Sequence, residues 1–388
     1  MDNFTYHIPT QINFGRGQIK TLPDVIKKYG NKLLLVYGGG TIKKIGLYDA
    51  LMKLLQESGI EVYELSGVEP NPRVTTVDKG VKIVRENGIQ AVLAAGGGST
   101  IDCAKAVAAC QSYDGPAWDV VSKKVPITTV LPIFTVLTTA ATGSEMDTSA
   151  VISNLETNEK MGVSNAAERP TLSILDPEYT FSLSKFQTAC GVADSISHAF
   201  EDYFNNVPSA FLQSRFSLAV LETIIKYAPI AYEEPENYEA RANLMWASSW
   251  AINGLCKKGC TVMWSMHPIE HQLSAYYDIT HGAGLAVIIP HWMRYMLRPE
   301  NSYRFVDFGV RCFGLDPEQD AMTIANQAIE KVEELFFEKL HLPKTLREAG
   351  VPTDEMFRVM AERCSKNLGK AFVPMTADDV FEMLKKAY

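Results

Sequence analysis

Apolar residues in the first part of the chain gather in short runs separated by helical spacing. Leu33-Leu34-Leu35-Val36-Tyr37 and Ala91-Val92-Leu93-Ala94-Ala95 are continuous and end in glycine, the mark of strands buried on both faces, and residues 60–65 read as a third strand. Between them Leu47, Leu51, Leu54 and Leu55 share one side over 45–58, Val77, Val81 and Val84 share one over 75–87, and 101–110 reads as a further helix. Such alternation implies a parallel sheet covered by helices. From about residue 185 strand-like runs nearly vanish, and the spacing predicts helices over 187–204, 210–228, 238–253, 322–339 and 378–387. The expected architecture is an α/β domain over 1–180 and an all-helical domain over 181–388. At the start, Tyr6, Ile8, Ile12 and Phe14 suit an edge strand within 4–14. Exposed edges are usually paired or covered, so a homodimer with this strand near the contact is expected.

Composition narrows the classes. A chain of 388 residues exceeds what one core usually holds, which agrees with two domains. A net charge of −8 argues against a nucleic-acid binder. The apolar stretches are too short to span a bilayer, and the first residues lack the basic and apolar regions of a signal peptide. Seven scattered cysteines without a Cys-x-x-Cys pair fit reduced thiols and a cytoplasmic address.

Two predicted strands end in glycine runs, Gly38-Gly39-Gly40-Thr41 and Gly96-Gly97-Gly98-Ser99-Thr100. Glycine lets a ligand approach the backbone, and a helix N-terminus after such a run favours an anion, so a pyrophosphate cradle is one reading and a tight sheet turn the other. Neither run has the G-x-G-x-x-G spacing of the ordinary dinucleotide fingerprint. Asp102, in the first turn after the second run, could bond a ligand or only complement the helix dipole. The segment 137–145, rich in small hydroxyl residues, suits a polar pocket or a hydrogen-bonded turn.

His198, His267, His271 and His281 stand among apolar residues. Asp194 precedes His198 by four residues, and His267 precedes His271 by four; on a helix each pair shares a face. One Asp/His pair alone is also an ordinary surface ion pair. Several imidazoles in apolar helices, however, need partners, and one divalent cation would serve them together. Nitrogen and oxygen donors without thiolate suit Fe(II) or Zn(II). His267-Pro268-Ile269-Glu270-His271 also matches the H-x-x-E-H pattern of inverted zinc metallopeptidases, with Glu270 as base, but that alternative leaves the Asp194/His198 pair and the glycine turns without a role.

Taken together, Gly-Val-Ala-Asp-Ser-Ile-Ser-His at 191–198, Met-His-Pro-Ile-Glu-His at 266–271, Thr-His-Gly-Ala-Gly-Leu-Ala at 280–286, the glycine run at 96–100 and Thr-Thr-Ala-Ala-Thr-Gly-Ser-Glu at 138–145 resemble the iron-containing alcohol dehydrogenases. The resemblance runs in order over the whole chain, and 37–49 looks most like the butanol dehydrogenase and broad-specificity aldehyde reductase branch. It implies a dehydroquinate synthase-like architecture, an α/β nucleotide-binding domain followed by an all-α metal-binding domain, with the site in the cleft. It implies Asp194, His198, His267 and His281 as metal ligands and His271 as a non-ligand proton relay near the nicotinamide. Gly97, Gly98 and Ser99 would hold the pyrophosphate, and Asn71, Asp102, Thr138, Thr139, Thr142, Ser144, Lys160 and Tyr179 match positions that contact the cofactor. The implied reaction interconverts small alcohols and aldehydes such as butanol and butanal with NAD(P)(H). The Gly-Val-Ala-Asp spacing is one residue longer than in some branches, which shifts the alignment just before Asp194. A metal-dependent cyclising lyase of the dehydroquinate synthase type is the alternative, and it would need more basic residues than these motifs carry. At Gly38-Gly39-Gly40-Thr41 no acid follows until Asp49, while Lys43 and Lys44 lie near, so NADP(H) is expected to serve at least as well as NAD(H).

Overall fold

The structure is a computed structural model that describes residues 1–261 and 263–388. It divides into two compact units, His7–Ser182 and Leu183–Tyr388, the latter joined by Met1–Tyr6.

In the first unit six parallel strands form one sheet in the order β1-β8-β5-β4-β2-β3. These are β1 (Gln11–Phe14), β2 (Lys32–Tyr37), β3 (Glu61–Leu65), β4 (Ala91–Gly96), β5 (Ile133–Leu137) and β8 (Leu172–Leu175). An antiparallel hairpin, β6 (Ser149–Asn154) with β7 (Glu159–Ser164), stands apart from it. The helices are α1 (Leu22–Ile26), α2 (Thr41–Lys44), α3 (Leu47–Glu57), α4 (Val74–Asn87), α5 (Gly98–Cys110) and α6 (Ala117–Val121). Strands β4 and β5 are buried throughout, and all but the first residue of β2 is buried, as the continuous apolar runs require of central strands packed on both faces. Edge strands β1 and β3 are mostly exposed or half-buried.

The second unit holds α7 (Lys185–Tyr203), α8 (Phe211–Glu233), α9 (Tyr238–Ile252), α10 (Met266–Tyr277), α11 (His281–Met296), α12 (Ser302–Phe313), α13 (Ala321–Glu333), α14 (Phe357–Cys364) and α15 (Ala377–Ala387). Helix α7 starts at a capping box, in which the Ser184 hydroxyl accepts from Gln187 N and the Gln187 side chain accepts from Ser184 N. It packs against α8, α9 and α11, which explains why almost its entire length is buried.

Three expectations need correction. The edge strand is confined to Gln11–Phe14; Met1–Tyr6 instead lies on the helical unit, where Asp2 N donates to Gly259 O at 2.9 Å and the Thr261 hydroxyl to Asp2 Oδ2 at 2.7 Å. The helix expected over 322–339 ends as an α-helix at Glu333 and continues as one wider π-type stretch over Glu334–Lys339. Strand β8 and the β6–β7 hairpin fall in a region for which no strand is expected from the sequence.

Candidate metal centre

Helix α7 carries Asp194 and His198 one turn apart, both buried. His267 is the second residue of α10, and His281 is the first of α11. Both glycines there are demanded by packing. A Cβ on Gly282 would lie 2.2 Å from the Cys190 carbonyl of α7, and one on Gly284 would lie 3.0 Å from Glu270 Oε1. Their absence of side chains lets the start of α11 press against α7 and α10.

The four residues meet at one oxygen. Asp194 Oδ1 lies 3.5 Å from His198 Nε2, 3.7 Å from His281 Nε2 and 3.9 Å from His267 Nε2. None of these distances is a hydrogen bond, and this buried oxygen has no hydrogen-bond partner among the described residues. Ligands held tetrahedrally at bonds of about 2.0–2.1 Å stand roughly 3.4 Å from each other. The donor atoms of Asp194, His267 and His281 lie within 4.8 Å of one another, close enough to share one cation, and an orphaned buried carboxylate oxygen facing three imidazole nitrogens fits a divalent metal.

The charges agree. Burial acts against ionised Asp194, but the three imidazoles outweigh it and hold the carboxyl below its usual range. Burial pushes His198 down to about 3, so it is a neutral donor at neutral pH. His267 is lowered by burial but raised more by Asp194 and Glu201, to about 9. Without a cation this ring keeps a proton.

Two further carboxylates aim the rings. Glu201 accepts from the backbone N–H groups of Ser265, Met266 and His267 at 2.8–3.1 Å, and its Oε1 faces His267 Nδ1 at 3.4 Å. Glu270 is fully buried and bonds His281 Nδ1 and the Ser274 hydroxyl. Sequence reasoning missed Glu201, although a signal was present: Asp194, His198 and Glu201 stand at i, i+4 and i+7 of one helix face. In the H-x-x-E-H pattern Glu270 would be a peptidase base. Tied to His281, it is not placed to activate a water, which removes the support for the inverted-peptidase alternative. His271 lies one turn beyond His267, half-buried, its ring centre 5.9 Å from that of His267 and 5.5 Å from that of His281.

In the α/β unit the structure joins several of the predicted cofactor residues in pairs. Gly97 and Gly98 open α5, where an added Cβ would come within 2.9 Å of the Thr139 hydroxyl or 2.3 Å of the Thr142 methyl. Thr138 N donates to Gly96 O at 3.0 Å. Asp102 accepts from the Ser144 hydroxyl at 2.6 Å and from Val151 N at 2.9 Å, and burial pushes its carboxyl up to about 6. Both its oxygens thus serve the fold, tying α5 to the hydroxyl-rich loop and to β6. Lys160 Nζ donates to Asn71 Oδ1 at 2.8 Å. Ser99 follows Gly98 in the first turn of α5, and Tyr179 is half-buried on the short turn Pro177–Thr180 against the sheet core. Gly38, Gly39 and Gly40 follow β2, with Gly40 at φ 111°, and Thr41 starts α2. Beside this turn Tyr37 and Tyr48 donate to Glu64 at 2.6 and 2.9 Å, and the Lys43 ammonium sits 5.1 and 4.5 Å from the two ring centres.

Comparison with known proteins points one way. Residues 9–177 match the family described as iron-containing alcohol dehydrogenase, and residues 188–388 match the C-terminal part of the Fe-containing alcohol dehydrogenase family. The chain is 52% identical over 391 residues to NADH-dependent butanol dehydrogenase A of Clostridium acetobutylicum, with all of both chains covered. It is 36% identical over 355 residues to the NADPH-dependent aldehyde reductase YqhD of Escherichia coli, covering 90% of each. Among solved structures, NADH-dependent butanol dehydrogenase A of Thermotoga maritima superposes with a TM-score of 0.93 at 42% identity, covering 100% of this chain and 99% of that one.

Proposed function

The chain belongs to the iron-containing alcohol dehydrogenase family, and on that premise we propose that it reduces small aldehydes such as butanal to primary alcohols, and reverses the reaction, using a nicotinamide cofactor and one divalent metal. The observation that carries the metal reading is Asp194 Oδ1, buried, without a hydrogen bond and ringed by three imidazole nitrogens.

Asp194, His198, His267 and His281 would hold Fe(II) or Zn(II). When bound, the cation supplies Lewis-acid polarisation of the substrate oxygen. The protein's own part is to keep the donors ready. His198 is kept neutral by burial, Glu201 aims His267, and Glu270 aims His281. A bound nicotinamide would supply or accept the hydride, and the His271 imidazole would give a proton to the carbonyl oxygen in reduction and take one back in alcohol oxidation. The backbone at Gly97 and Gly98, with Ser99, binds the pyrophosphate at the start of α5. Thr138, Thr139, Thr142, Ser144, Asn71, Lys160 and Tyr179 are the remaining cofactor positions, and Asp102 acts through Ser144.

For the cofactor we favour NADH, the reverse of the weighting drawn from the glycine turn. Lys43 is engaged over two tyrosine rings beside the Glu64 carboxylate, so it is not a free partner for a 2′-phosphate, and Glu64 adds the like charge that the turn itself lacks. The open edge of β1 supports a homodimer, and light scattering at micromolar concentration tests it. Seven free cysteines support a reducing, cytoplasmic setting; among the described residues no helix is long and apolar enough to cross a membrane.

The deciding experiment is turnover of butanal with NADH and with NADPH, before and after metal removal. We expect activity that disappears on chelation and returns with Fe(II) or Zn(II). Full activity in a metal-free preparation, or no turnover of any aldehyde by the metal-loaded chain, would refute the reading.

A further inference from the structure

Imidazoles that bind a metal are ordinarily held by a hydrogen bond from the ring nitrogen facing away from it. His267 and His281 follow that rule through Glu201 and Glu270. His198 does not: its buried Nδ1 has no hydrogen-bond partner among the described residues. What meets this ring is aromatic. His267 stacks on it with centroids 4.7 Å apart and planes 14° apart, and Trp264 lies at 5.6 Å with planes 37° apart. Trp264 also stands 4.7 Å from His267, so one indole covers two of the ligand rings.

The indole is itself tied down. Its Nε1 donates to Asp202 Oδ1 at 3.1 Å, and the Lys257 ammonium lies 5.5 Å from a Trp264 ring centre, a cation–π contact. Asp202 sits one turn beyond His198 on α7 and is 1% exposed; its second oxygen has no partner among the described residues. Enclosing a carboxylate that makes so few contacts is costly, and its contact with Trp264 gives that cost a purpose.

We propose that Trp264, held by Asp202, is the positioning residue for His198, doing by ring packing what Glu201 and Glu270 do by hydrogen bonding for the other two imidazoles. The pair links α7, which carries Asp194 and His198, to the segment entering α10, which carries His267. Removing the indole frees the His198 ring to tilt, and a tilted ring no longer points its Nε2 lone pair at the common centre. The inference rests on the metal reading above.

Four variants separate this role from general packing. Trp264→Leu removes the ring, Trp264→Phe keeps a ring without the N–H, Asp202→Ala removes the acceptor, and Asp202→Asn retains one. For each, metal affinity is measured by chelator competition, and the visible absorption of the Co(II)-loaded protein reports the arrangement of its ligands. Unfolding of the metal-free protein checks the fold. Trp264→Leu is expected to weaken affinity about tenfold or more and to move the Co(II) bands. Trp264→Phe and Asp202→Ala should fall between it and the wild type, and Asp202→Asn should restore wild-type affinity and spectrum. If Trp264→Leu does not fold, the contrast between Asp202→Ala and Asp202→Asn decides. Unchanged affinity and bands in Trp264→Leu, or equal damage from both Asp202 variants, would overturn the proposal. A wild-type chain that takes up no metal would instead overturn the metal reading on which it rests.

Discussion

Replacing Glu201 by Gln tests how far the site depends on a carboxylate that stays outside the ligand set. Glu201 collects the N–H groups of Ser265, Met266 and His267 at 2.8–3.1 Å and faces His267 Nδ1 at 3.4 Å. Gln has nearly the same shape. It keeps one acceptor, turns the other position into a donor aimed at N–H groups, and removes the negative charge from the first turn of α10. Hydrogen bonds to a charged group contribute about 1.5–3 kcal/mol each, roughly twice the neutral value. Weakening three of them should therefore cost about 2–4 kcal/mol in the metal-free protein. His267 also loses its aim, for which a 10- to 100-fold fall in metal affinity is expected, about 1.4–2.8 kcal/mol. Urea unfolding measures the first effect and chelator competition the second. Stability within about 0.5 kcal/mol of wild type together with unchanged affinity would refute the reasoning. Lost stability with wild-type affinity would make Glu201 a helix cap and nothing more.

His267, raised to about 9, holds a proton at neutral pH that a cation must displace, so metal uptake near pH 7 should release about one proton and tighten as pH rises toward 9. Calorimetry in buffers of different ionisation enthalpy measures this, and zero release counts against it. The same upward shift makes the metal-free fold lose stability as pH rises: the folded value lies above the ordinary 6.5, so its contribution to stability is complete below pH 6.5 and is lost as pH rises through about 9. Glu64→Gln should raise kcat/KM for NADPH relative to NADH several-fold; an unchanged ratio would remove Glu64 from cofactor choice. Gly98→Ala would place a methyl 2.3 Å from Thr142 Cγ2, so it should cost about 1–3 kcal/mol in unfolding experiments and raise KM for NADH, and a variant with wild-type KM would refute that placement of the cofactor.

Much of this protein was legible in the chain because its signals are local. The apolar runs of β2 and β4, the leucine spacing of α3 and the i, i+4 pairing of Asp194 with His198 each depend on residues a few positions apart, where backbone geometry alone decides which side chains share a face. The hairpin β6–β7 and strand β8 were not legible: β7 carries Glu159, Lys160 and Gly162, a polar segment whose pairing with β6 comes from tertiary context rather than propensity. The same divide runs through the site. The histidine motifs marked the donors, but only the fold could bring α7, α10 and α11 to one oxygen, and only the close approach of α11 to the Cys190 carbonyl explains why glycine follows His281. Lys43 was legible as a positive charge near the glycine turn, whereas its engagement over Tyr37 and Tyr48 beside Glu64 required β3 to be laid next to β2. Which groups a side chain meets across the fold depends on how separate elements pack, and no spacing along a single segment encodes that.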